Sequence, residues 1–310
     1  MKSTADILTR LRLHAVGILL VIGQVFAAPS VVADELLIDA RQRDASYPLG
    51  VTTNWQTLPL DTQIPDEHRW QRRNSDLINL GTSQDAQWLR IRFSATGATD
   101  ASAFWMFSLG TSNARVVDFY HAVDGLQLVS HHSGSGVPYA ERTVLYRQIV
   151  FPIKLIPGQH ELLVRIEHGS SLSLEPSLST RSNWVSRVLN GELSIVVYLG
   201  LVAVLALYSL AVFIRLREPE FGYFALCLGG AALWVMADTG VASQLLYPSH
   251  PFIHPFALRV SLGICLAGLL LFSRSVLAVG RSSPALARGM VLFGGCIAVA
   301  CLFPVFRHFP

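Results

Sequence analysis

Four apolar stretches follow one another from residue 191 to the end of the chain, and arginines stand in only alternate connections between them. Such a pattern fixes an orientation in a bilayer, because the connections that keep Lys and Arg stay in the cytoplasm. The expected spans are about residues 193–214, 221–242, 256–279 and 289–306. Leu193 to Ile214 carries no charge over about 22 residues, which at about 1.5 Å per residue covers the hydrocarbon thickness. Arg215 and Arg217 follow at once, whereas YPSHPFIHP from Tyr247 to Pro255 contains no Lys or Arg. Arg274 lies at the inner end of the third run, Arg281 and Arg288 stand in the last connection, and Arg259 and Arg307 fall near the outer side. The first span therefore runs inward and the fourth returns outward. Pro310 is expected on the same side as the polar first half, with any cytoplasmic output domain missing from this chain.

The composition is too apolar for an ordinary soluble domain, with 51% hydrophobic and 15% charged residues and a mean hydropathy of +0.43, and nearly all the long runs lie after Asn190. The net charge of +3 supplies no basic face for nucleic acid. Cys227, Cys265, Cys296 and Cys301 all fall in the apolar stretches, so no disulfide framework holds the polar half together.

The chain opens with Lys2, Arg10 and Arg12, then an apolar core from Ala15 to Ala27, then small residues. This is secretory signal anatomy, expected over residues 1–33, with cleavage after Ala27 or after Ala33. The alternative, an uncleaved anchor, has an apolar core too short to span comfortably. Export of residues 34–187 agrees with the orientation set by the arginines.

Between Asp34 and Arg187 the period changes to two. In QWLRIRFSA (residues 87–95), Leu89, Ile91 and Phe93 share one face, and Trp88, Arg90 and Arg92 the other. Similar runs recur at 103–109, 114–122, 126–131, 144–155 and 160–168, separated by Thr96-Gly97, Asp124-Gly125, Ser133 to Gly136 and Pro157-Gly158. Short strands at this spacing predict an antiparallel two-sheet sandwich. Ser170 to Arg187 reads as a last strand and a juxtamembrane connector, with Trp184 as an interfacial anchor.

NSDLINLGTSQDAQWLRIRF, ARVVDFYHAVDG and YRQIVFPIKLIPGQHELLVRIEHGSSLSLEPSL together resemble the periplasmic sensory domain of the bacterial seven-transmembrane receptors with diverse intracellular signalling modules (7TMR-DISM type). YLGLVAVLALYSLAVFIRLREPEFGYFALCLGGAALWVMADTGVASQLLYP resembles that family's first two spans and the outward loop after them. The resemblance implies a jelly-roll-like exported domain that binds carbohydrate or another small ligand, seven spans, and a cytoplasmic effector such as a diguanylate cyclase or histidine kinase. This chain departs from it in having four expected spans and no effector, which reads as truncation.

Candidate sites are few. Trp70, Trp88, Trp105, Tyr139 and Tyr146 offer ring faces for sugars, although packing is the default for most of them. Trp88 with Arg90 and Arg92 forms the expected ligand-binding face. Asp238 and Arg259, near the outer ends of the second and third spans, are an expected polar pair across two helices. His131-His132 before SGSG, and His250 with His254, lack the Cys or acidic neighbours of a metal site, and Pro251 and Pro255 oppose a helix that would align the latter two. No catalytic residue, metal or cofactor is expected, since P-loop, G-x-S-x-G, H-E-x-x-H, CxxC and GGDEF-type patterns are absent. The expected function is the sensor part of a receptor of the bacterial inner membrane, not an enzyme. Its partners are the lipid bilayer, a small-molecule or carbohydrate ligand and, as an option, a second copy as a homodimer. A tethered binding module without output and an enzyme acting on envelope glycans are the alternatives.

Overall fold

The computed structural model describes residues 36–60, 70–72, 75–97, 104–169, 171–278 and 283–308. The expected signal segment, residues 1–33, lies outside them. Thirteen strands come first: β1 Leu37–Asp39, β2 Ser46–Pro48, β3 Thr53–Leu58, β4 Gln71–Arg72, β5 Ile78–Gly81, β6 Ala86–Thr96, β7 Trp105–Ser108, β8 Val116–Val123, β9 Leu126–Ser133, β10 Val150–Ile153, β11 Gly158–Glu167, β12 Leu172–Leu174 and β13 Ser177–Thr180. Helices follow: α1 Arg181–Leu216, α2 Pro219–Asp238, the short α3 Val241–Leu245, α4 His254–Val276 and α5 Pro284–His308.

The large sheet runs β4-β3-β6-β11-β8-β9 with β1 parallel beside β6; the second sheet runs β10-β7-β13-β2, and β12 pairs with β5. This is the antiparallel sandwich that the alternation predicts. Leu89, Ile91 and Phe93 of β6, Val117 and Phe119 of β8, and Leu162, Val164 and Ile166 of β11 point into one core. Phe107 of β7 and Phe151 of β10 meet them from the other sheet, with Phe119 stacked on Phe151 at 4.6 Å and on Phe107 at 5.4 Å. These rings bolt the two layers together without a disulfide, each burying the large apolar area that makes aromatic residues dominate cores.

One polar inclusion interrupts this core. His160 Nε2 donates to the Ile156 carbonyl at 2.8 Å, so its Nδ1 accepts from His121 Nε2 at 2.8 Å. His121 Nδ1 then carries no proton and has no partner. Burial, followed by the neighbouring His160, pushes His121 down to about 4. Burial also lowers His160, against the opposing pull of its Ile156 bond and of Asp124.

The passage from sandwich to helix differs from the expectation. Residues 181–187, read from sequence as connector, are already helical, because Thr180, the last residue of β13, is also the N-cap of α1, its side chain accepting from Asn183 N at 3.4 Å. Strand and helix therefore join without a linker. Trp184 meets Tyr146 edge-to-face at 5.4 Å and so packs against the sandwich.

α1, α2 and the segment Pro251–Val276 are each long and apolar enough to cross a membrane, and α5 is apolar over Pro284–Ile297. α2 stops at Asp238, short of the expected Ala242. Gly240 there adopts φ 81° with Arg147 O 2.8 Å and Ser112 Cβ 2.9 Å from where a Cβ would stand, so the chain must turn under the sandwich. Small residues let the helices close up: Gly268 of α4 meets Cys227 N of α2 at 2.6 Å from its would-be Cβ, and Gly230 of α2 lies against the Cys265 backbone.

Candidate functional site

Two places in the described residues combine buried polar groups with long sequence separation: the outer face of the large sheet, and the junction between the sandwich and the outer ends of the helices.

On the outer face, register places Gln56 of β3, Trp88 of β6, Arg165 of β11 and Asp118 of β8 in one row. Alternation predicts the facing of Trp88, Arg90 and Arg92, but their exposure differs. Trp88 is 2% exposed and stacks on Tyr120 at 6.5 Å. The Arg90 guanidinium is buried, lies 5.4 Å from the Trp70 ring centroid and bonds the Glu161 carboxylate. Arg92 remains exposed and reaches the same carboxylate at 3.1 Å. Asp118 is shared by Arg165 at 3.0 Å and His132 at 2.7 Å, while Arg165 also bonds Glu167 at 2.7 Å and the Leu60 carbonyl at 2.8 Å. The segments holding Leu60 and Trp70 thus fold over this face, which is why it is more enclosed than period two implies. Both amide atoms of Gln56 and the indole nitrogen of Trp88 are buried with no partner among the described residues. Gln56 is a member of this face that the sequence reading missed. Of the other aromatic candidates, Trp105 is buried against Tyr47; His131, from the pair before SGSG, stacks on Phe119 and Phe151.

At the junction, Arg147 is the central side chain. It lies in the irregular segment between the one-turn 3-10 helix Tyr139–Glu141 and β10. Its Nε donates to Glu192 Oε1 of α1 at 2.6 Å, and its Nη1 donates to the Thr239 carbonyl, just past α2, at 3.0 Å. Ser112 Oγ donates to the Asp238 carbonyl at 2.7 Å. The last carbonyls of α2, which lack partners within their own helix, are therefore capped by the sandwich, with a cation at the negative end of the helix dipole. Asn113 binds two helices at once: Nδ2 donates to Asp238 Oδ1 at 2.9 Å, and Oδ1 lies 3.2 Å from His254 Nε2 at the start of α4. His254 Nδ1 is 3.3 Å from the Tyr247 hydroxyl, and Tyr139 N donates to the Pro248 carbonyl at 2.9 Å. Burial pushes the Tyr146 and Tyr247 hydroxyls up to about 12, against the pull of Arg147 and Arg142 respectively.

The structure does not join Asp238 to Arg259. Asp238 is held by Asn113, while Arg259 is exposed and forms no ion pair among the described residues. No group of three or more His, Cys, Asp or Glu is arranged for a metal among the described residues.

The comparisons with known proteins divide the chain in the same way. The family described as 7TMR-DISM extracellular 2 matches residues 53–180, and the one described as 7TM diverse intracellular signalling matches residues 192–310. No curated protein matches. Among solved structures, a family 35 carbohydrate binding module from an environmental isolate matches at 11% identity over 44% of this chain and 91% of that chain, with a TM-score of 0.25. A cycloisomaltooligosaccharide glucanotransferase from Paenibacillus sp. matches at 9% identity over 46% of this chain and 19% of that chain, with a TM-score of 0.24. An FMN-binding beta-glucuronidase from Facaelibacterium prausnitzii matches at 11% identity over 44% and 22%, with a TM-score of 0.27. This chain thus spans only about a fifth of the length of each of those two enzymes. The matched families are a sensory and a membrane-spanning one, one to each half of the fold. The chain belongs to the 7TMR-DISM type of membrane receptor, with its amino-terminal sandwich as the extracytoplasmic sensor.

Proposed function

We propose that the sandwich binds a small, hydroxyl-rich ligand such as a sugar on the outer face of its large sheet, and that occupancy is relayed to the helices through Arg147. Three buried polar atoms without partners, on Gln56 and Trp88, support a ligand that both donates and accepts hydrogen bonds, since each such atom is costly until satisfied. Trp70 and Tyr120 supply ring faces, and the arginines of that face are already matched by Glu161, Asp118 and Glu167, which favours an uncharged ligand. The relay is carried by one observation: a single sandwich side chain bonds α1 and the end of α2 together. Ligand shifts the helices only by binding one arrangement of sandwich and bundle better than the other. The setting we propose is the bacterial inner membrane, with α1, α2, α4 and α5 as spans and a diguanylate cyclase or histidine kinase as the receiving module.

The test uses the full chain in lipid nanodiscs, screened by thermal shift against monosaccharides and oligosaccharides, with hydrogen exchange followed over residues 235–254. A binding sugar is expected to raise Tm and change exchange in that segment. Arg147→Ala keeps the Tm rise and loses the exchange response. If no sugar shifts Tm, the ligand class is wrong; a sugar that binds wild type with unchanged exchange over 235–254 refutes the relay.

A further inference from the structure

Arg142 stands beside this relay and is not used by it. It ends the turn Tyr139–Glu141, is 6% exposed, and its only side-chain hydrogen bond among the described residues is from Nη1 to the Arg147 carbonyl at 3.5 Å, the long limit for such a contact. Its Nε is buried with no acceptor, and no carboxylate pairs with it among the described residues. Glu192, the carboxylate at this junction nearest in role, is taken by Arg147. The Tyr139 ring, 5.4 Å from the Arg142 Cζ, offers a cation–π contact, which compensates only part of the desolvation of a buried cation. A guanidinium does not deprotonate, and burying one unpaired is strongly unfavourable.

The unfilled part of this side chain has a definite shape. Nε has no partner and Nη2 makes no hydrogen bond among the described residues, and these two N–H groups form the edge of the fork that takes two oxygens of one oxyanion. The fork lies beside the loop Tyr247–Ile253, whose Pro248 carbonyl is bonded by Tyr139 N, and so at the outer ends of α2 and α4. We infer that Arg142 is a binding site for an oxyanion of the phosphate or carboxylate class, seated where sandwich and helices meet. Burial lowers the pKa of Arg142, against the opposing pull of Tyr139 and Tyr247. The anion completes the charge of the junction and so favours the docked arrangement of the two halves. This site is separate from the sugar face and does not depend on the relay.

The same chemistry has two sources, a lipid headgroup or a soluble phosphate, and the experiment separates them. The full chain is placed in phosphatidylcholine nanodiscs, and Tm is followed by tryptophan fluorescence as inorganic phosphate replaces chloride at constant ionic strength. A second arm uses nanodiscs containing phosphatidylglycerol and no phosphate. A saturable rise in Tm in the first arm identifies a soluble anion, and a rise confined to the second identifies a lipid. Arg142→Gln abolishes either rise, and without the anion it is at least as stable as wild type, because it removes an unmatched buried charge. Arg142→Lys, which keeps the charge and loses the fork, binds at least about tenfold more weakly. The inference is overturned if wild type responds in neither arm, or if Arg142→Gln responds as strongly as wild type.

Discussion

The two halves of the chain place apolar side chains on opposite sides. In the sandwich, Leu89, Ile91, Phe107, Phe119 and Leu162 are fully enclosed between sheets. In α1, a helix of 36 residues, only Val202 and Ser209 are buried, while Leu193, Val197, Leu201 and Leu207 are each at least 60% exposed. Water drives the first arrangement, whereas lipid tails, as apolar as leucine itself, remove the incentive to turn those side chains inward in the second. The helices meet instead where a side chain is missing, at Gly230 and Gly268. The same residue type therefore holds one half together and merely dissolves the other in its solvent.

The largest break in this comparison comes from removing a ring that joins the two sheets. Phe107→Ala is expected to destabilise the sandwich by about 3–5 kcal/mol, lowering the denaturant midpoint read by tryptophan fluorescence. The helical circular dichroism of the bundle in nanodiscs should persist beyond that transition. Simultaneous loss of both signals would show that the halves are not separable.

Acid sharpens the contrast, because the titratable inclusion lies in the sandwich. His121 titrates at about 4 in the fold against 6.5 ordinarily, so on acidification the unfolded chain takes up its proton first. Its contribution is fully present above pH 6.5 and is lost as pH falls toward 4, by an amount on the order of 3 kcal/mol. His160, also depressed, acts in the same direction. His121→Phe should flatten the dependence of sandwich Tm on pH between 6.5 and 4; an unchanged slope would place the acid sensitivity elsewhere.

The smallest effect is expected at the lipid surface. Leu201→Ala in α1 should change stability in nanodiscs by no more than about 0.5 kcal/mol, although Leu89→Ala in the sandwich should cost about 2–5 kcal/mol. Equal losses at the two leucines would mean that Leu201 packs against protein.

Much of this division is legible in the chain. The alternation of QWLRIRF gives the inward set Leu89, Ile91 and Phe93, and the uncharged runs with their arginine flanks mark the apolar helices. The cover over Trp88 and Arg90 is not legible, because Leu60 and Trp70 arrive from outside the strand whose period is being read. Nor is the start of α1. Thr180 is both strand end and helix cap, so a stretch whose polar composition suggests a connector is already helical. Depth along two helices pairs Asp238 with Arg259, but α2 ends at Asp238 itself and presents that side chain to Asn113.

Local periodicity settled the class of each half, since alternation and long apolar runs are properties of neighbouring residues and of the solvent they face. The tertiary structure alone decided where the halves lock. Arg147 meets Glu192 and Thr239 from 45 and 92 positions away, and Asn113 meets Asp238 from 125. A hydrogen bond depends on distance in space, and no period along the chain encodes a contact made between irregular segments far apart in sequence.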